Sequence, residues 1–280
     1  MTRERPEVSV DDVRSYWNIH PLFTFESTAE LGSLRFFDEH NRVRQEDVET
    51  FAMRLHEFSE HTGQLVLDIG CGVGWLCEHF ARGGAHVIGL DITENGTRIT
   101  KERLAAYGLR GTAVQGDAER LPFEDAAFDF VTASGVLHHT PNTQHAIDEV
   151  FRVLRPGGRA MISIYRRNWL MSPPTWPFTR LAVRCLFGSL PGRSGFQNLR
   201  TPDDLVRVYD GNDNPLGKAY SRRETLDMLR AFTIERHEVH YFPRRFLPLG
   251  RRIPRFLHML LDRWMGLMLY VLVRKPEYSL

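Results

Sequence analysis

Short apolar runs alternate with helix-like segments through the middle of the chain. Five runs have the length and the aliphatic, β-branched content of strands: residues 65–69, 86–90, 112–115, 128–133 and 158–164. Apolar residues at helical spacing occupy three segments between them: residues 75–82, 95–107 and 143–153. This alternation predicts βαβ units and a mostly parallel sheet whose ligands bind at the carboxyl ends of the strands.

A predicted helical extension, residues 1–62, precedes that core, which spans residues 63–165. Ser9 begins a capping box for a helix through Trp17, and a longer helical region spans residues 35–61. Two interpretations remain open for this extension. It either packs against the core or folds over the ligand pocket.

The alternation stops after Tyr165. Residues 166–220, rich in tryptophan and proline, predict a cap inserted after the fifth strand, and residues 221–280 predict the rest of the sheet. The elements predicted in these two segments are a helix at 178–188, a loop at 208–217, a helix at 224–231 and strands at 233–240 and 265–273. The predicted fold is an α/β, doubly wound, mostly parallel seven-stranded sheet with an antiparallel edge strand.

A glycine-rich turn follows the first predicted strand. Glycine permits positive φ and close approach of a ligand, and the amides at the start of the next helix are predicted to face the same space. The dinucleotide pattern G-x-G-x-x-G would require a glycine where Trp75 stands, so a nicotinamide-dependent oxidoreductase is disfavoured. Asp91 ends the second strand, 21 residues after Gly70, where its carboxylate can accept hydrogen bonds from both hydroxyls of a ribose. The sequence therefore predicts a nucleoside-containing ligand.

The distribution of charge adds to this picture. The 280 residues carry a net charge of +1, which gives no reason to expect a nucleic-acid partner. Three cysteines without metal-ligand spacing, and no apolar leader after the first residues, predict a cytoplasmic protein. Nine arginines and no acid lie between Val150 and Pro202, and a second arginine-rich segment spans residues 244–255. Neither segment predicts a transmembrane span, but both suit a membrane surface or an anionic, apolar substrate.

Three further motifs follow the glycine turn and Asp91 in order: GDAERLPF at 116–123, FDFVTASGVLHHT at 128–140 and EVFRVLRPGG at 149–158. Together these motifs resemble the class I S-adenosylmethionine-dependent methyltransferases, in the branch with quinone C-methyltransferases and sugar or natural-product O-methyltransferases. The resemblance covers roughly residues 63–165. It implies a Rossmann-like fold and transfer of a methyl group from S-adenosylmethionine, leaving S-adenosylhomocysteine, with no metal ion required.

The resemblance also implies where the cofactor lies. Asp68 and the glycine turn face its methionine part, Asp91 its ribose, Asp117 and Ala118 its adenine, and residues 134–137 its sulfonium. Asp68 within an apolar strand is costly unless hydrogen-bonded, which independently favours a role in the site, whereas Asp117 alone would be interpreted as a turn residue. The predicted cofactor-binding residues are Tyr16, Asp68, Gly70, Cys71, Gly72, Gly74, Asp91, Ile92, Asp117, Ala118, Glu119, Ser134, Gly135 and Leu137.

His138 and His139 are the predicted catalytic residues, because histidine titrates near neutral pH and can remove a hydroxyl proton as the methyl group arrives. The resemblance implies a histidine pair beside the acceptor. The alternative is that the pair caps the following helix or packs beneath the loop. His20 is a further candidate base. The predicted substrate-binding residues are Trp17, Trp169, Tyr209 and Tyr220.

The predicted function is methyl transfer to a small, lipophilic metabolite or natural product, with O-methylation favoured over C-methylation. The alternative is a cofactor-binding adaptor without catalysis, which contacts a membrane surface or a partner through its arginine-rich segments. The sequence predicts a small-molecule acceptor without identifying it, and it predicts no oligomeric state.

Overall fold

A seven-stranded mixed sheet forms the centre of the protein in a computed structural model, which describes residues 8–21, 24, 27–188, 194–242 and 252–277. The strands are β1 (Leu65–Ile69), β2 (His86–Asp91), β3 (Gly111–Gln115), β4 (Phe128–Ser134), β5 (Leu154–Tyr165), β6 (Thr233–His240) and β7 (Met268–Arg274). Their order in the sheet is β3-β2-β1-β4-β5-β7-β6. Strands β1 to β5 are parallel, and β7 is antiparallel to both of its neighbours. The predicted fold class is confirmed.

Helices pack against both faces of this sheet. They are α1 (Val10–Ile19), α2 (Leu34–Val43), α3 (Ala52–Leu55), α4 (Trp75–Arg82), α5 (Glu94–Ala106), α6 (Thr143–Val153), α7 (Trp176–Phe187), α8 (Pro202–Asp210), α9 (Arg222–Met228) and α10 (Arg255–Met265). Alternate strand residues belong to two separate apolar cores. Val66 and Phe130 pack with α4 on one face, whereas Leu67 and Val131 pack with α6 on the other.

The core elements agree closely with their predicted bounds, and the exception is β5. This strand begins at Leu154, four residues before the predicted start at 158. Leu154 pairs with Phe128, and a bulge then shifts the register so that Phe130 pairs with Arg159. The short turn that the Pro156–Gly158 sequence suggests is therefore part of an irregular strand.

The predicted helical region at 35–61 is not one helix. It consists of α2, a π-helical turn at Arg44–Val48, α3 and a 3-10 turn at Phe58–His61. Glu57 adopts a left-handed conformation, with φ of 50°, between the last two. A break after Val43 lets Arg44 and Glu49 form a buried ion pair, which a continuous helix would not bring together.

Two helices beyond β5 were not predicted, α8 and α10. Thr201 and Asp204 form a capping box for α8, so the predicted loop at 208–217 begins only after Asp210. The predicted strand at 265–273 begins at Met268, because α10 continues to Met265. Most of the second arginine-rich segment, residues 243–251, lies outside the described residues.

The order of the strands reverses between β1 and β4, where the connecting loops diverge and leave a crevice at their carboxyl ends. Edge strand β6 is partly exposed along its length, as the alternation at 233–240 predicts. Within the described ranges, no helix is long and apolar enough to cross a lipid bilayer.

Candidate functional site

A cavity of about 760 Å³ lies at the carboxyl ends of the parallel strands. Its base is formed by the loops after β1, β2, β3 and β4. Its remaining walls come from α1, residues 48–51, the end of α8 and one side of α10. Parts of the N-terminal extension therefore form walls of the cavity.

The glycine turn after β1 lines this cavity. Gly70, Gly72 and Gly74 have φ angles of 70°, 52° and 76°, in the region that glycine alone adopts readily. A Cβ on Gly70 would overlap the side chain of Val136. A Cβ on Gly72 or Gly135 would instead project into open space, so both positions leave room for a ligand against the backbone. This cradle fits the predicted cofactor.

Two amides of the same turn are engaged within the protein. The Gly70 and Cys71 N–H groups both donate to the Leu90 carbonyl, at 2.6 and 3.0 Å. Cys71 is buried against the cavity, and its pKa is raised although the neighbouring Cys77 thiol opposes the effect of burial. These bonds fix the turn to the end of β2. The turn leaves room for a ligand, but its Gly70 and Cys71 N–H groups already have an acceptor within the protein.

Asp91 ends β2 at the centre of the site. Its Oδ2 accepts the Gly72 N–H at 2.9 Å, and its Oδ1 accepts the Thr93 N–H and hydroxyl at 2.8 and 2.6 Å. Burial raises the pKa of Asp91, while these donors oppose that shift. The carboxylate is consequently fixed in one orientation with lone pairs left over for a ligand.

Asp68, on β1, is almost completely buried beneath the glycine turn. Burial raises its pKa to about 7, although the Cys77 thiol, which donates to it at 3.3 Å, and the charge of Arg44 both lower it. A carboxyl group in this state carries a proton in mildly acidic solution and a charge in mildly basic solution. Its charge is therefore sensitive to what binds beside it.

The loop after β3 forms the end of the cavity beyond Asp91. Ile92, Asp117 and Ala118 line it, and Asp117 Oδ1 accepts the Glu119 N–H at 2.9 Å, which closes a tight turn. Arg14 of α1 lies at a small opening beside Ile92 and Asp117. Asp117 is thus both a turn residue and a lining residue.

A polar cluster lies at the opposite end, where β4 and α8 meet. His138 and His139 line the cavity together with Asp210. His139 Nε2 lies 3.1 Å from Asp210 Oδ2, and His139 Nδ1 lies 2.6 Å from the carbonyl oxygen of Leu216. The Tyr165 hydroxyl donates to Asp210 Oδ1 at 2.7 Å.

His138 differs from its neighbour because neither of its ring nitrogens has a hydrogen-bond partner within the described part of the chain. The ring is completely buried between His139 and Tyr165, with centroid separations of 4.4 and 4.5 Å. Burial lowers its pKa well below the ordinary value, so the ring is neutral at physiological pH. Both histidines thus lie at the cavity wall.

Some of the other predicted site residues line the same cavity, and the rest lie outside its lining. Ser134, Gly135, Trp17 and Tyr209 are lining residues. The predicted residues outside the described lining are Gly74, Glu119, Leu137, Tyr16, His20, Trp169 and Tyr220.

Several of these outlying residues support the wall. Gly74 packs closely against Thr100, and the Leu137 carbonyl accepts hydrogen bonds from the Thr140 and Thr143 hydroxyls. Glu119 accepts the Asn142 amide at 2.5 Å. They position the loops after β3 and β4.

The outlying aromatic residues have separate surroundings. The Tyr16 ring stacks on His20, which is exposed, and burial raises the Tyr16 pKa to about 12. Trp169 is 54% exposed, and the Tyr220 hydroxyl donates to Thr143 at 2.9 Å. A direct role in the pocket would require these side chains to move.

The structure adds lining residues that the sequence did not reveal. Arg44 and Glu49 form a buried ion pair at the cavity wall, Glu49 accepts the Tyr241 hydroxyl at 2.5 Å, and Tyr165 and Asp210 complete the histidine cluster. No local motif surrounds any of them. Only the capping box before α8 could have signalled that Asp210 ends a helix.

Comparisons with known proteins agree with the resemblance of the motifs. A family profile described as a methyltransferase domain matches residues 67–162. A ubiquinone biosynthesis O-methyltransferase of Dechloromonas aromatica is 32% identical over 175 residues, 57% of this chain and 72% of that protein. An uncharacterized methyltransferase of Synechocystis sp. is 38% identical over 196 residues, 66% of this chain and 87% of that protein.

A solved structure shares the fold. Magnesium protoporphyrin IX methyltransferase from Synechocystis PCC 6803, with bound S-adenosylhomocysteine, matches with a TM-score of 0.59 and 18% identity, over 95% of this chain and all of the other. At this identity the likeness concerns the fold alone.

Proposed function

Since the chain belongs to the class I S-adenosylmethionine-dependent methyltransferases, we propose that its acceptor is a hydroxyl group on a small lipophilic metabolite, of the class of hydroxylated quinone precursors. The bound cofactor supplies an electrophilic methyl group and leaves as S-adenosylhomocysteine. The protein has to bind both partners, align them and exclude water. The name of the Dechloromonas aromatica relative supports a quinone precursor and O-methylation.

The shape and chemistry of the 760 Å³ cavity carry this proposal. One end holds the glycine turn and Asp91, and the other combines apolar and aromatic walls with the His138–His139–Asp210 cluster. The aromatic and apolar residues at that end include Trp17, Phe51, Tyr209, Phe242 and Met268. Such a wall favours an apolar acceptor, while the cluster offers its hydroxyl a polar contact.

Around the cofactor, we assign Asp91 to the ribose hydroxyls, because both of its oxygens are oriented by protein donors and retain lone pairs. Asp68 faces the ammonium group of the methionine part, and the buried Arg44 faces its carboxylate. Ala118 and the Asp117 turn contact the adenine. The Asp68 and Arg44 assignments pair each charged group of the methionine part with a protein group of opposite charge in a buried setting.

At the acceptor end, the cluster removes the hydroxyl proton as the oxygen attacks the methyl group. The O–H bond breaks, an O–CH₃ bond forms, and the methyl–sulfur bond breaks with its electron pair left on sulfur. His138 is the group in contact with the acceptor, because its ring nitrogens are unpartnered, whereas both nitrogens of His139 already face Leu216 or Asp210. The rings of His139 and Tyr165 pack against it.

We further propose that α7 and α10 contact an anionic membrane surface. On α7, Phe178 and Leu181 are 75% and 58% exposed beside Arg180 and Arg184. On α10, the exposed apolar residues are Phe256, Met259, Leu260 and Trp264. The opposite side of α10 contributes His258 and Asp262 to the cavity. A lipophilic acceptor leaving the bilayer would therefore be close to the wall of the cavity that α10 forms.

Transfer from radiolabelled S-adenosylmethionine into an extract of the source cells, followed by partition into organic, aqueous and protein fractions, tests the acceptor class. We expect label in the organic fraction. A His138→Gln, His139→Gln double variant should label at least about 10²-fold more slowly while still binding S-adenosylhomocysteine. His145→Gln, at an exposed position on α6, is the matched control. Label confined to protein or water would refute a lipophilic acceptor, and full activity of the double variant would refute the role of the cluster.

A further inference from the structure

We propose that His138, His139 and Asp210 bind a divalent transition-metal ion at the acceptor end of the cavity. One ligand atom from each residue lies within 4.8 Å of the other two. All three residues line the cavity, so a metal ion there would keep open positions towards the acceptor. This site differs from the cofactor contacts around Asp91 and the glycine turn.

The tautomer of His139 supports this site. A carbonyl oxygen can only accept, so the 2.6 Å contact with Leu216 places a proton on Nδ1 of His139. Nε2 lies 3.1 Å from Asp210 Oδ2, and a cation satisfies both atoms, either as a proton on Nε2 or as a metal ion bound to the two. A metal ion bound to both atoms satisfies them together. A spacing of about 3 Å is typical of neighbouring ligands at metal–ligand distances of about 2.1 Å.

His138 supplies a second, independent observation. It is completely buried, and both of its ring nitrogens lack a hydrogen-bond partner among the described residues. An unsatisfied polar atom in such a place is costly, and native structures retain one mainly where a ligand, ion or water completes it. As a metal ligand, the neutral ring of His138 donates the lone pair that the apolar surroundings leave unused.

The groups behind the three ligands have the arrangement typical of an outer shell. The Leu216 carbonyl fixes the ring of His139, and the Tyr165 hydroxyl fixes the carboxylate of Asp210 at 2.7 Å. Such contacts orient metal ligands, and the carbonyl that accepts the Nδ1 proton also raises the basicity of the imidazole. Two imidazoles and one carboxylate suit Zn²⁺, Fe²⁺, Co²⁺ or Ni²⁺ better than the oxygen-preferring Mg²⁺ or Ca²⁺.

The role of the metal rests on the proposed function, whereas its binding does not. Held by His138, His139 and Asp210, the ion would supply Lewis-acid chemistry and lower the pKa of an acceptor hydroxyl beside it, whose proton would pass to water. This would replace direct removal of the proton by the His138 ring, which is its role in the metal-free cluster.

Binding of Co²⁺ to the metal-free full-length chain, with any affinity tag removed, tests the site without an acceptor. We expect visible d–d absorption that saturates at one ion per chain. Asp210→Asn and His138→Gln should each weaken Co²⁺ binding at least about tenfold, and Tyr165→Phe, which removes only an outer contact, about tenfold. His145→Gln should leave it unchanged. Retained S-adenosylhomocysteine binding shows that each variant is folded.

Absence of saturable Co²⁺ binding by the wild-type chain would overturn the inference, as would equal binding by the Asp210→Asn and His138→Gln variants. A failure of the proposed function has a different result. In that case Co²⁺ binds at the cluster as expected, but no methyl label enters the organic fraction. Metal-dependent labelling of that fraction would support both.

Discussion

Asp91 ends β2 with its two carboxylate oxygens oriented by Gly72 and Thr93. We expect Asp91→Ala to weaken S-adenosylhomocysteine binding by at least about tenfold, since a hydrogen bond to a charged group contributes about 1.5–3 kcal/mol. Isothermal titration calorimetry measures the change. Asp148→Ala, at an exposed position on α6, is the control. Equal affinity of the wild type and Asp91→Ala would exclude the ribose contact.

The raised pKa of Asp68 predicts that cofactor affinity depends on pH, because burial raises this pKa from 3.8 to about 7 in the ligand-free protein. An ionised Asp68 attracts the ammonium group of the cofactor, so affinity for S-adenosylhomocysteine should rise as the pH increases from about 6 to about 8. Asp68→Asn should remove this dependence. Calorimetric affinities across that range measure it, and an identical pH profile in the variant would contradict the prediction.

The same carboxyl group affects stability with a definite sign. Its folded pKa lies above its unfolded value, so the folded state binds the proton more tightly between these two values. The stability of the ligand-free protein should therefore fall as the pH rises from about 4 to about 7, by an amount that Asp68→Asn abolishes. Binding of the cofactor, which favours the ionised form, offsets this loss.

Some of the predicted residues belong to a local strand–turn pattern that the sequence displays. Asp68, Gly72 and Asp91 line the cavity because each lies near or just beyond the carboxyl end of a parallel strand. Arg44 and Asp210 could not be found in this way. Their neighbours in sequence do not lie at strand ends, and their positions depend on how distant helices pack.

At the level of elements, α10 combines two functions on opposite sides. Its outer side is apolar and exposed, with Met259 and Leu260 at 62% and 52% exposure, and its inner side lines the cavity. We expect a Met259→Gln, Leu260→Gln double variant to sediment less with vesicles of anionic phospholipid than the wild type, because it loses apolar area for the interface.

S-adenosylhomocysteine affinity of that double variant should be unchanged, which separates membrane contact from misfolding. Met53→Gln, which alters an exposed methionine on α3, is the matched control. Equal sedimentation of all three proteins, or sedimentation that neutral vesicles support equally well, would argue against an anionic membrane surface as the partner.

The bounds of β1, α4 and α6 were predicted to the residue, because glycine turns and a regular apolar spacing define them. The N-terminal extension was predicted less well. There the π-helical turn at Arg44–Val48 follows from a buried ion pair rather than from local propensity, and helical spacing on either side conceals the break. Tertiary contacts decide such segments.

At the level of the whole molecule, polar contacts fasten the N-terminal extension to the closing strands. Arg44 pairs with Glu49, which accepts the Tyr241 hydroxyl, and Arg54 pairs with Glu238. Both members of the first pair are buried. The extension is thus held over the cavity by the opposite end of the chain.

We expect Arg44→Met to lower the free energy of unfolding by about 3–5 kcal/mol, because it leaves the Glu49 charge buried and unpaired. An Arg44→Met, Glu49→Leu double variant should lose less than the sum of the two single variants. Urea unfolding of the ligand-free protein measures all three. Strictly additive losses would show that the pair does not act as a unit.

Helix α1 lies along the cavity, where Val10, Val13 and Trp17 line it, and Asn18 is joined to Asn95 of α5 by two hydrogen bonds, at 3.2 and 2.7 Å. An opening motion of this helix would widen the path by which spent cofactor leaves, and the residence time would then depend on the rate of that opening as well as on affinity. A slow opening makes the enzyme sensitive to product inhibition. Its rate of methyl transfer in the cell would then depend on the ratio of S-adenosylmethionine to S-adenosylhomocysteine.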